Sequence, residues 1–232
     1  MKKKVIVLSG AGISAESGLK TFRGDDGLWE GHRVQDVATP TAWDQNPGLV
    51  LDFYNQRRAD LIKAAPNIGH KALVTLSEKY EVSIVTQNVD DLHERAGSEN
   101  VLHLHGELLK SQSTEDYSKV YPCRANIEIG DTCDLGSQLR PFIVWFGEAV
   151  PLLDRAIAEM VDADIVIIVG TSLQVYPAAG LVSFVPKNCK IYYVDPDPAD
   201  TRSLDIDIEV TTLVGAATEQ LPSLVDCLLQ EA

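Results

Sequence analysis

The segment "KVIVLSGAGISAESG", residues 4–18, is the most informative part of this chain for its fold class. A short β-branched run is followed by Gly10, Gly12 and Ala15 in the spacing G-x-G-x-x-A. Such a turn lets the backbone approach a pyrophosphate at the start of a helix. Glu30 lies about the right distance downstream to bind a ribose but falls in "GLWEGH", which is not a strand pattern. The stretch therefore indicates a nucleotide contact, does not favour a hydride-transferring dehydrogenase, and taken alone would fit a tight turn without a ligand equally well.

Further apolar runs alternate with helical patterns along the chain, and most of them lack polar alternation. This pattern is typical of parallel strands covered on both faces by helices. The predicted strands are 4–9, 82–88, 100–106, 163–171, 190–195 and 206–212. The predicted helices are 15–21, 47–64, 69–79, 152–161 and 218–230. The fold class that follows is α/β, a doubly wound Rossmann-like parallel sheet.

Two intervals interrupt the alternation, and we predict that they form a smaller second domain from two insertions. Residues 31–65 are helical and loop-like where a strand is due, and residues 111–140 are polar and poorly periodic. The Rossmann-like domain would then comprise residues 1–30, 66–110 and 141–232. A cleft between the two domains is where we expect ligands to bind.

Polar residues follow several of the predicted strands. They are Gln87, Asn88 and Asp90 in "TQNVDDLH", His105 in "LHLHGE", and Gly170, Thr171 and Ser172 in "IVGTSLQVYP". Ligands of open parallel sheets bind outside the carboxyl ends of the strands, so these groups are expected to converge on one crevice. The alternative, that all of them are turns and helix caps, requires several coincidences.

Composition excludes several classes of function. The formal net charge of −14 over 232 residues repels phosphate backbones, so we expect no nucleic-acid partner. No apolar run reaches membrane-spanning length, and the opening "MKKKVIVL" loses its apolar character at Ser9, too early for a signal peptide. We therefore expect no membrane association and a cytoplasmic location. The four cysteines are scattered and do not resemble a disulfide framework.

The motif series "GAGISAESGLKTFR", "TQNVDDLH", "HGEL", "VWFGE" and "GTSLQVYPAA" resembles that of the sirtuins, NAD-dependent protein lysine deacylases, in order and separation. The resemblance covers nearly the whole chain. It implies NAD as the cofactor, an acylated lysine of a protein substrate bound between two domains, and release of nicotinamide and O-acyl-ADP-ribose. That reaction needs a base working near neutral pH, which an imidazole supplies. His105 matches the base position, whereas His103 is expected to be a hydrogen-bonded structural residue on the same strand face.

The resemblance also implies roles for the remaining motif residues. Asn88 and Asp90, counted with His105 as catalytic, would orient the nicotinamide ribose and carboxamide, and Gln87 would hold ribose hydroxyls. The residues implied to bind NAD are Gly10, Ala11, Gly12, Ala15, Phe22, Arg23, Trp29, Gln87, Asn88, Asp90, Gly170, Thr171, Ser172, Asp195, Asp197 and Ala217. Asp195 stands where the family usually has Asn, and as a carboxylate it can still accept from a ribose hydroxyl.

The substrate side is implied by two further segments. Val144, Trp145, Phe146 and Gly147 of "VWFGE" would pair with the substrate as an added strand and form an apolar wall, although core packing is the alternative for part of that run. In "FYNQRR", Tyr54 and Arg57 share a helix face, while Arg58 points about 100° away. The sirtuins that remove negatively charged acyl groups carry such a pair here, so succinyl-lysine and malonyl-lysine are implied substrates. Surface ion pairs with Asp52 or Asp60 are the alternative.

One departure concerns the metal site of the family. Most sirtuins bind a structural zinc through four cysteines, but this insertion offers only Cys123 and Cys133, with Ser111 and Ser113 where others are expected. We therefore predict no metal.

Two other functions compete with deacylation: mono-ADP-ribosyl transfer at the same NAD site, against which "VWFGE" argues, and non-catalytic sensing of NAD or ADP-ribose, against which His105 argues.

Overall fold

The structure is a computed structural model that describes residues 2–21, 29, 31–200 and 208–231. Its main element is a six-stranded sheet in the order β3-β2-β1-β7-β8-β9, in which every neighbouring pair is parallel. The strands of this sheet are β1 (Lys4–Ser9), β2 (Glu81–Thr86), β3 (Val101–His103), β7 (Ile165–Val169), β8 (Lys190–Asp195) and β9 (Val210–Val214). The predicted Rossmann-like parallel sheet is confirmed.

Helices cover both faces of the sheet, which explains why the strands are apolar without alternation. Val5 and Val7 of β1 pack with α5 and α8, whereas Ile6 and Leu8 pack with α7 and a 3₁₀ helix on the other face. The covering helices are α5 (Ile68–Leu76), α7 (Leu153–Val161), α8 (Ala217–Glu231) and the 3₁₀ helix Ala178–Phe184. In the described part of the chain, no helix is long and apolar enough to cross a membrane.

The sheet order reverses at β1, whose neighbours are β2 on one side and β7 on the other. Loops that follow two such strands diverge and leave a crevice at their carboxyl ends. Gly12 donates its N–H to the Gly170 carbonyl at 2.8 Å. A Cβ on Gly10 would lie 2.6 Å from the Gly170 oxygen, and one on Gly12 would lie 2.6 Å from the Gly170 Cα. The glycines are thus required for contact between the two loops.

Three predicted elements are wrong in position. One is the strand predicted at 206–212: residues 206 and 207 lie outside the described residues, and the strand found is β9 (Val210–Val214). The helix predicted at 15–21 is instead α1 (Gly12–Ala15), and Gly18 follows it in a left-handed conformation with φ of +88°. The strand predicted at 100–106 is divided, because Gly106 has φ of +84° and a Cβ there would meet the Phe142 oxygen at 2.2 Å. The chain leaves the parallel sheet after β3 and enters a second sheet at Gly106. His103 and His105 therefore do not share one strand face.

The second sheet is antiparallel, has the order β5-β4-β6, and was not predicted. Its strands are β4 (Gly106–Ser113), β5 (Val120–Pro122) and β6 (Leu139–Ile143), so it extends beyond the predicted insertion 111–140 on both sides. The unpredicted helices in the described part of the chain are α2 (Val34–Val37), α3 (Pro40–Gln45), α6 (Leu92–Ala96) and the 3₁₀ helix Ala178–Phe184. The division of the chain into two domains stays a prediction.

The helix of the first insertion, α4 (Pro47–Lys63), agrees closely with the predicted 47–64. The Asn46 side chain caps it by accepting from the Leu49 N–H at 3.1 Å, and Pro47 occupies the first turn. One apolar cluster joins Val50 and Phe53 of this helix to Leu108 and Trp145. The helix is thereby fixed against the second sheet.

Polar bonds from α4 also hold the second insertion in place. Asn55 donates to the Ile127 carbonyl at 3.0 Å and accepts from the Ile127 N–H at 2.9 Å. Arg58, only 1% exposed, donates to the Leu108 carbonyl at 3.0 Å and to the Asn55 side chain at 2.7 Å. We call Asn55, Arg58, Leu108 and Ile127 the helix clip. Arg58 thus points away from Arg57, as predicted, but into the interior.

Candidate active site

One cavity of about 860 Å³ lies at the carboxyl edge of the parallel sheet, against α4 and the loop after β6. It is lined by every predicted site residue that the structure describes. These are Gly10, Ala11, Gly12, Ala15, Trp29, Tyr54, Arg57, Gln87, Asn88, Asp90, His105, Val144, Trp145, Phe146, Gly147, Gly170, Thr171, Ser172, Asp195, Asp197 and Ala217. Phe22 and Arg23 lie outside the described residues.

His105 lies in the turn between β3 and β4, where the chain passes from one sheet to the other. Its Nδ1 is 3.1 Å from the Gln87 carbonyl oxygen, and since a carbonyl only accepts, Nδ1 carries the proton and donates. Nε2 is therefore the basic nitrogen of the neutral ring. Burial lowers the pKa of His105 below its ordinary value, and the bond to Gln87 offsets this only in part. A neutral imidazole facing the cavity can accept a proton at neutral pH.

His103 is the hydrogen-bonded residue that the sequence predicts. Its Nδ1 is 2.9 Å from the Asn88 carbonyl oxygen and its Nε2 is 2.7 Å from the Glu94 carboxylate, and it does not line the cavity. Burial alone would lower the pKa of His103, but the bond to Glu94 reverses this and raises it. The two histidines thus have opposite pKa shifts, and the one with the lowered pKa faces the cavity.

Asn88 and Asp90 are held by Ser14 of α1, a residue that the sequence analysis missed. The Ser14 hydroxyl donates to the Asp90 carboxylate at 3.0 Å and accepts from the Asn88 amide at 3.3 Å. Burial raises the pKa of Asp90. Among the described residues, the buried Asn88 Oδ1 has no hydrogen-bond partner, as expected of an acceptor for a ligand hydroxyl or amide. No local pattern in the sequence marks Ser14, because Asn88 and Asp90, which it holds, both come from the loop after β2.

The end of the cavity nearest β7 and β8 is polar and internally bonded. Gln87 donates to the Thr171 hydroxyl at 3.0 Å, and Thr171 also accepts from the Leu173 N–H at 3.2 Å. Asp195 accepts from the Asp197 N–H at 2.9 Å. Burial, and then the charge of Asp197, raises the pKa of Asp195. Carboxylate and amide oxygens at this edge suit the hydroxyl groups of a ribose, so the chemistry of the residues present fits the adenosine half of NAD.

The opposite end is aromatic and cationic. Tyr54 is fully buried, and the Arg57 guanidinium carbon lies 4.4 Å from the Trp29 ring centroid. Asp60 also lines this end, but its carboxylate accepts from Gln56 at 3.1 Å and lies 3.7 Å from the Lys63 ammonium. These partners reduce its repulsion of an anionic ligand. We call this part of the cavity the acyl end and the part beside β7 and β8 the adenosine end.

The "VWFGE" segment follows β6 as a loop, and most of its N–H groups already donate within the protein. Val144 donates to the His105 carbonyl at 2.9 Å, Phe146 to the Ala38 carbonyl at 3.0 Å, and Trp145 to the Glu148 carboxylate at 2.7 Å. A substrate strand paired with this loop would therefore have to bond to its carbonyl groups or to Gly147. Trp145 is buried, as the packing alternative expects for part of the run, whereas Phe146 is 41% exposed, and pairing of the segment with a substrate stays a prediction.

No group of three or more histidine, cysteine, aspartate or glutamate side chains is placed to hold a metal ion within residues 2–21, 29, 31–200 and 208–231. In the second insertion, the Cys133 thiol lies 3.0 Å from the Ser137 hydroxyl, which lies 2.7 Å from Ser113. The second insertion, where the family places its zinc, is thus held by hydrogen bonds between its own residues and by the helix clip, which ties it to α4. The absence of zinc stays a prediction.

The chain belongs to the Sir2 family, whose model matches residues 10–177. It is 53% identical over 226 residues to a NAD-dependent protein deacylase of Helicobacter pylori, with 97% of this chain and 98% of that protein covered. It is 56% identical over 198 residues to a NAD-dependent protein deacylase of Aggregatibacter actinomycetemcomitans, with 85% and 95% covered.

Solved structures agree with this assignment. A Sir2 homologue in complex with NAD superimposes with a TM-score of 0.87 at 39% identity, over 99% of this chain and 91% of that one. A Sir2 protein bound to an acetylated peptide superimposes with a TM-score of 0.78 at 27% identity, over 99% and 93%. The Rossmann-like fold and the family resemblance inferred from the motifs are thereby confirmed.

Proposed function

We propose that this Sir2 protein is a NAD-dependent protein lysine deacylase that removes succinyl and malonyl groups as well as acetyl groups, and releases nicotinamide and O-acyl-ADP-ribose. Its relatives are named NAD-dependent protein deacylases and are covered over nearly their whole length. The observation that carries the acyl class is the presence of Tyr54 and Arg57 together in the wall of the cavity that His105 also lines.

NAD supplies an activated ribose carbon with nicotinamide as its leaving group, and the protein supplies the positions and the proton acceptor. We propose that Gly10, Gly12 and the loop after β7 approach the pyrophosphate, with Asp195 and Asp197 on the adenosine ribose. Asn88 and Asp90, held by Ser14, would orient the nicotinamide ribose and carboxamide. His105 accepts the proton of a ribose hydroxyl at Nε2 while Nδ1 stays bonded to Gln87.

The acyl end supports binding of a carboxylate. A guanidinium can form a bidentate pair with a carboxylate, and a phenol can donate to the same group, whereas an acetyl methyl offers neither of them an acceptor. Tyr54 cannot turn outwards to water because it is fully buried. Its position three residues before Arg57 on α4 puts both side chains on one helix face.

The test compares kcat/KM for succinyl-lysine and acetyl-lysine forms of one peptide. A charged hydrogen bond is worth roughly 1.5–3 kcal/mol, so Arg57→Met is expected to lower the succinyl-to-acetyl ratio by about one to two orders of magnitude. Arg33→Met is the matched control, since Arg33 is exposed, lies in the same insertion, pairs with Asp36 and does not line the cavity. Equal losses on both substrates in Arg57→Met would mean that Arg57 supports the fold or NAD binding instead.

A further inference from the structure

Three carboxylates lie in the cavity wall at or beside the adenosine end. Asp195 ends β8, Asp197 follows in the next loop, and Glu16 comes directly after α1. Asp195 accepts from the Asp197 N–H at 2.9 Å, so these two residues belong to one tight turn. Burial raises the pKa of Asp195, and the charge of Asp197 adds to this effect. The two carboxylates therefore act on each other and on any group bound beside them.

Glu16 borders the same part of the cavity because it is bonded to the start of α8. Its carboxylate accepts from the Thr218 N–H at 3.2 Å and from the Thr218 hydroxyl at 2.5 Å. The turn into α8 is in turn joined to β8, since Gly215 donates its N–H to the Asp195 carbonyl at 3.1 Å. The end of β8, the start of α8 and the end of α1 thus share one wall.

The start of α8 would be a favourable place for a phosphate group if Glu16 were not bonded there. The first turn of a helix presents N–H groups without helical partners and the positive end of the helix dipole, and both attract phosphates. Ala216 and Ala217 put this helix start in the cavity wall. Because the Glu16 carboxylate already accepts the Thr218 N–H, the protein fills the anion position itself.

The neighbouring segments offer a phosphate no positive charge. Residues 191–200 and 208–219 comprise most of β8, the described parts of the loop after it, β9 and the start of α8, and they include no lysine or arginine. Lys190, at the far end of β8, pairs with Glu231 at 3.0 Å. The lysine and arginine among the described lining residues, Lys20 and Arg57, come from other segments. The wall formed by β8 and α8 is therefore negative.

We infer that Asp195, together with Glu16, makes the adenosine end selective for NAD over NADP. The 2′-hydroxyl of the adenosine ribose can donate to a carboxylate, whereas the 2′-phosphate of NADP brings about two negative charges to the same place. An asparagine would also accept from the hydroxyl, so the charge at Asp195 adds rejection of NADP. The inference rests on the proposed placement of the adenosine ribose at Asp195 and goes beyond it.

The experiment compares the Kd of NAD and of NADP by calorimetry without peptide. Asp195→Asn keeps an acceptor and removes the charge, so the ratio of the NADP Kd to the NAD Kd is expected to fall about tenfold. Glu16→Gln keeps an acceptor for Thr218, and the smaller effect of a charge at a helix end predicts a fall of about threefold. Glu219→Gln is the matched control and should keep the ratio, since Glu219 is exposed in the first turn of α8 but does not line the cavity.

A wild-type protein that binds NADP as tightly as NAD would overturn the inference, as would an unchanged ratio in Asp195→Asn. An equal fall of the ratio in Glu219→Gln would mean that the overall charge is responsible, and would overturn it too. An unchanged ratio in Glu16→Gln would remove Glu16 from the inference.

Failure of the proposed placement gives a different result. Asp195→Ala removes the acceptor as well as the charge, so NAD binding is expected to weaken about tenfold through loss of a hydrogen bond to a charged group. Unchanged NAD binding in Asp195→Ala would reject the placement and the inference together. Weaker NAD binding in Asp195→Ala with an unchanged ratio in Asp195→Asn would reject the inference alone. The acyl preference does not enter, because no peptide is present.

Discussion

The two ends of the cavity differ in how their polar groups are bonded. At the adenosine end, Gln87 donates to Thr171 of a neighbouring loop, while Thr171 and Asp195 each accept a backbone N–H of their own loop, so the surface has its shape before any ligand arrives. At the acyl end, the Tyr54 hydroxyl and the Trp145 indole Nε1 are buried and interact with each other, and neither forms a well-aligned hydrogen bond with any other described residue. A preformed surface suits a ligand common to the family, whereas buried donors with few partners are expected to favour one class of substrate. We therefore expect substrate specificity to depend on the acyl end more than on the adenosine end.

The largest expected effect lies between the two ends, at His105. Replacing it with Ala or Tyr removes the proton acceptor, and kcat/KM for deacylation is expected to fall by about two to four orders of magnitude. NAD affinity by calorimetry and the melting temperature should stay close to wild type, since within the described residues the His105 side chain forms one hydrogen bond, to the Gln87 carbonyl. Turnover near the wild-type rate in His105→Ala would remove this residue from the role of base.

The pH dependence sharpens the assignment of that base. Burial lowers the pKa of His105, so the neutral form persists to lower pH than for a free imidazole, whose pKa is about 6.5. The acidic limb of the kcat/KM profile is therefore expected to have its midpoint below about pH 6.5, with a loss of about tenfold per pH unit beneath it. A midpoint above that value would point to a histidine with a raised pKa, such as His103.

Sequence patterns predict the sheet and the adenosine end well, because both depend on local signals. β1 and β8 begin and end where predicted, since an apolar run of β-branched or aromatic residues bounded by polar residues marks both ends of a strand. Tyr54 and Arg57 of the acyl end were predicted from the family motif, but the contacts that hold the wall around them could not be predicted. Trp145, Arg140 and Glu148 meet only through the antiparallel sheet, which depends on the left-handed Gly106 and on contacts between distant segments. Ser14 was missed because its role depends on the β2 loop, 76 residues away at Asp90.

The stability of the acyl end depends on the helix clip. Asn55→Ala leaves both backbone groups of Ile127 and one Arg58 nitrogen without their present partner, so a loss of about 2–4 kcal/mol in the free energy of unfolding is expected from denaturant titration. Gln56→Ala, at the exposed neighbour, is the matched control and should change it by less than about 0.5 kcal/mol. Equal stability of the two variants would mean that the clip is not what fixes α4.

Metal removal is expected to have the smallest effect. Elemental analysis should find zinc well below one equivalent, and a chelator should leave the melting temperature unchanged, because hydrogen bonds of Ser113, Cys133 and Ser137 connect the second insertion. A stoichiometric zinc, or a melting temperature lowered by the chelator, would show that Cys123 and Cys133 take part in a metal site after all.

Nicotinamide release from NAD by the wild-type protein separates the competing functions when it is measured with a succinyl-lysine peptide, an acetyl-lysine peptide, the unmodified peptide and no peptide. We expect release that depends on the acylated peptides, is stoichiometric with O-succinyl-ADP-ribose or O-acetyl-ADP-ribose, and has a higher kcat/KM for the succinyl peptide. Release with ADP-ribosylated peptide as the product would instead indicate a mono-ADP-ribosyltransferase, and NAD binding without release would indicate a sensor. Peptide-dependent release with acetyl-lysine alone would contradict the carboxylate-binding acyl end.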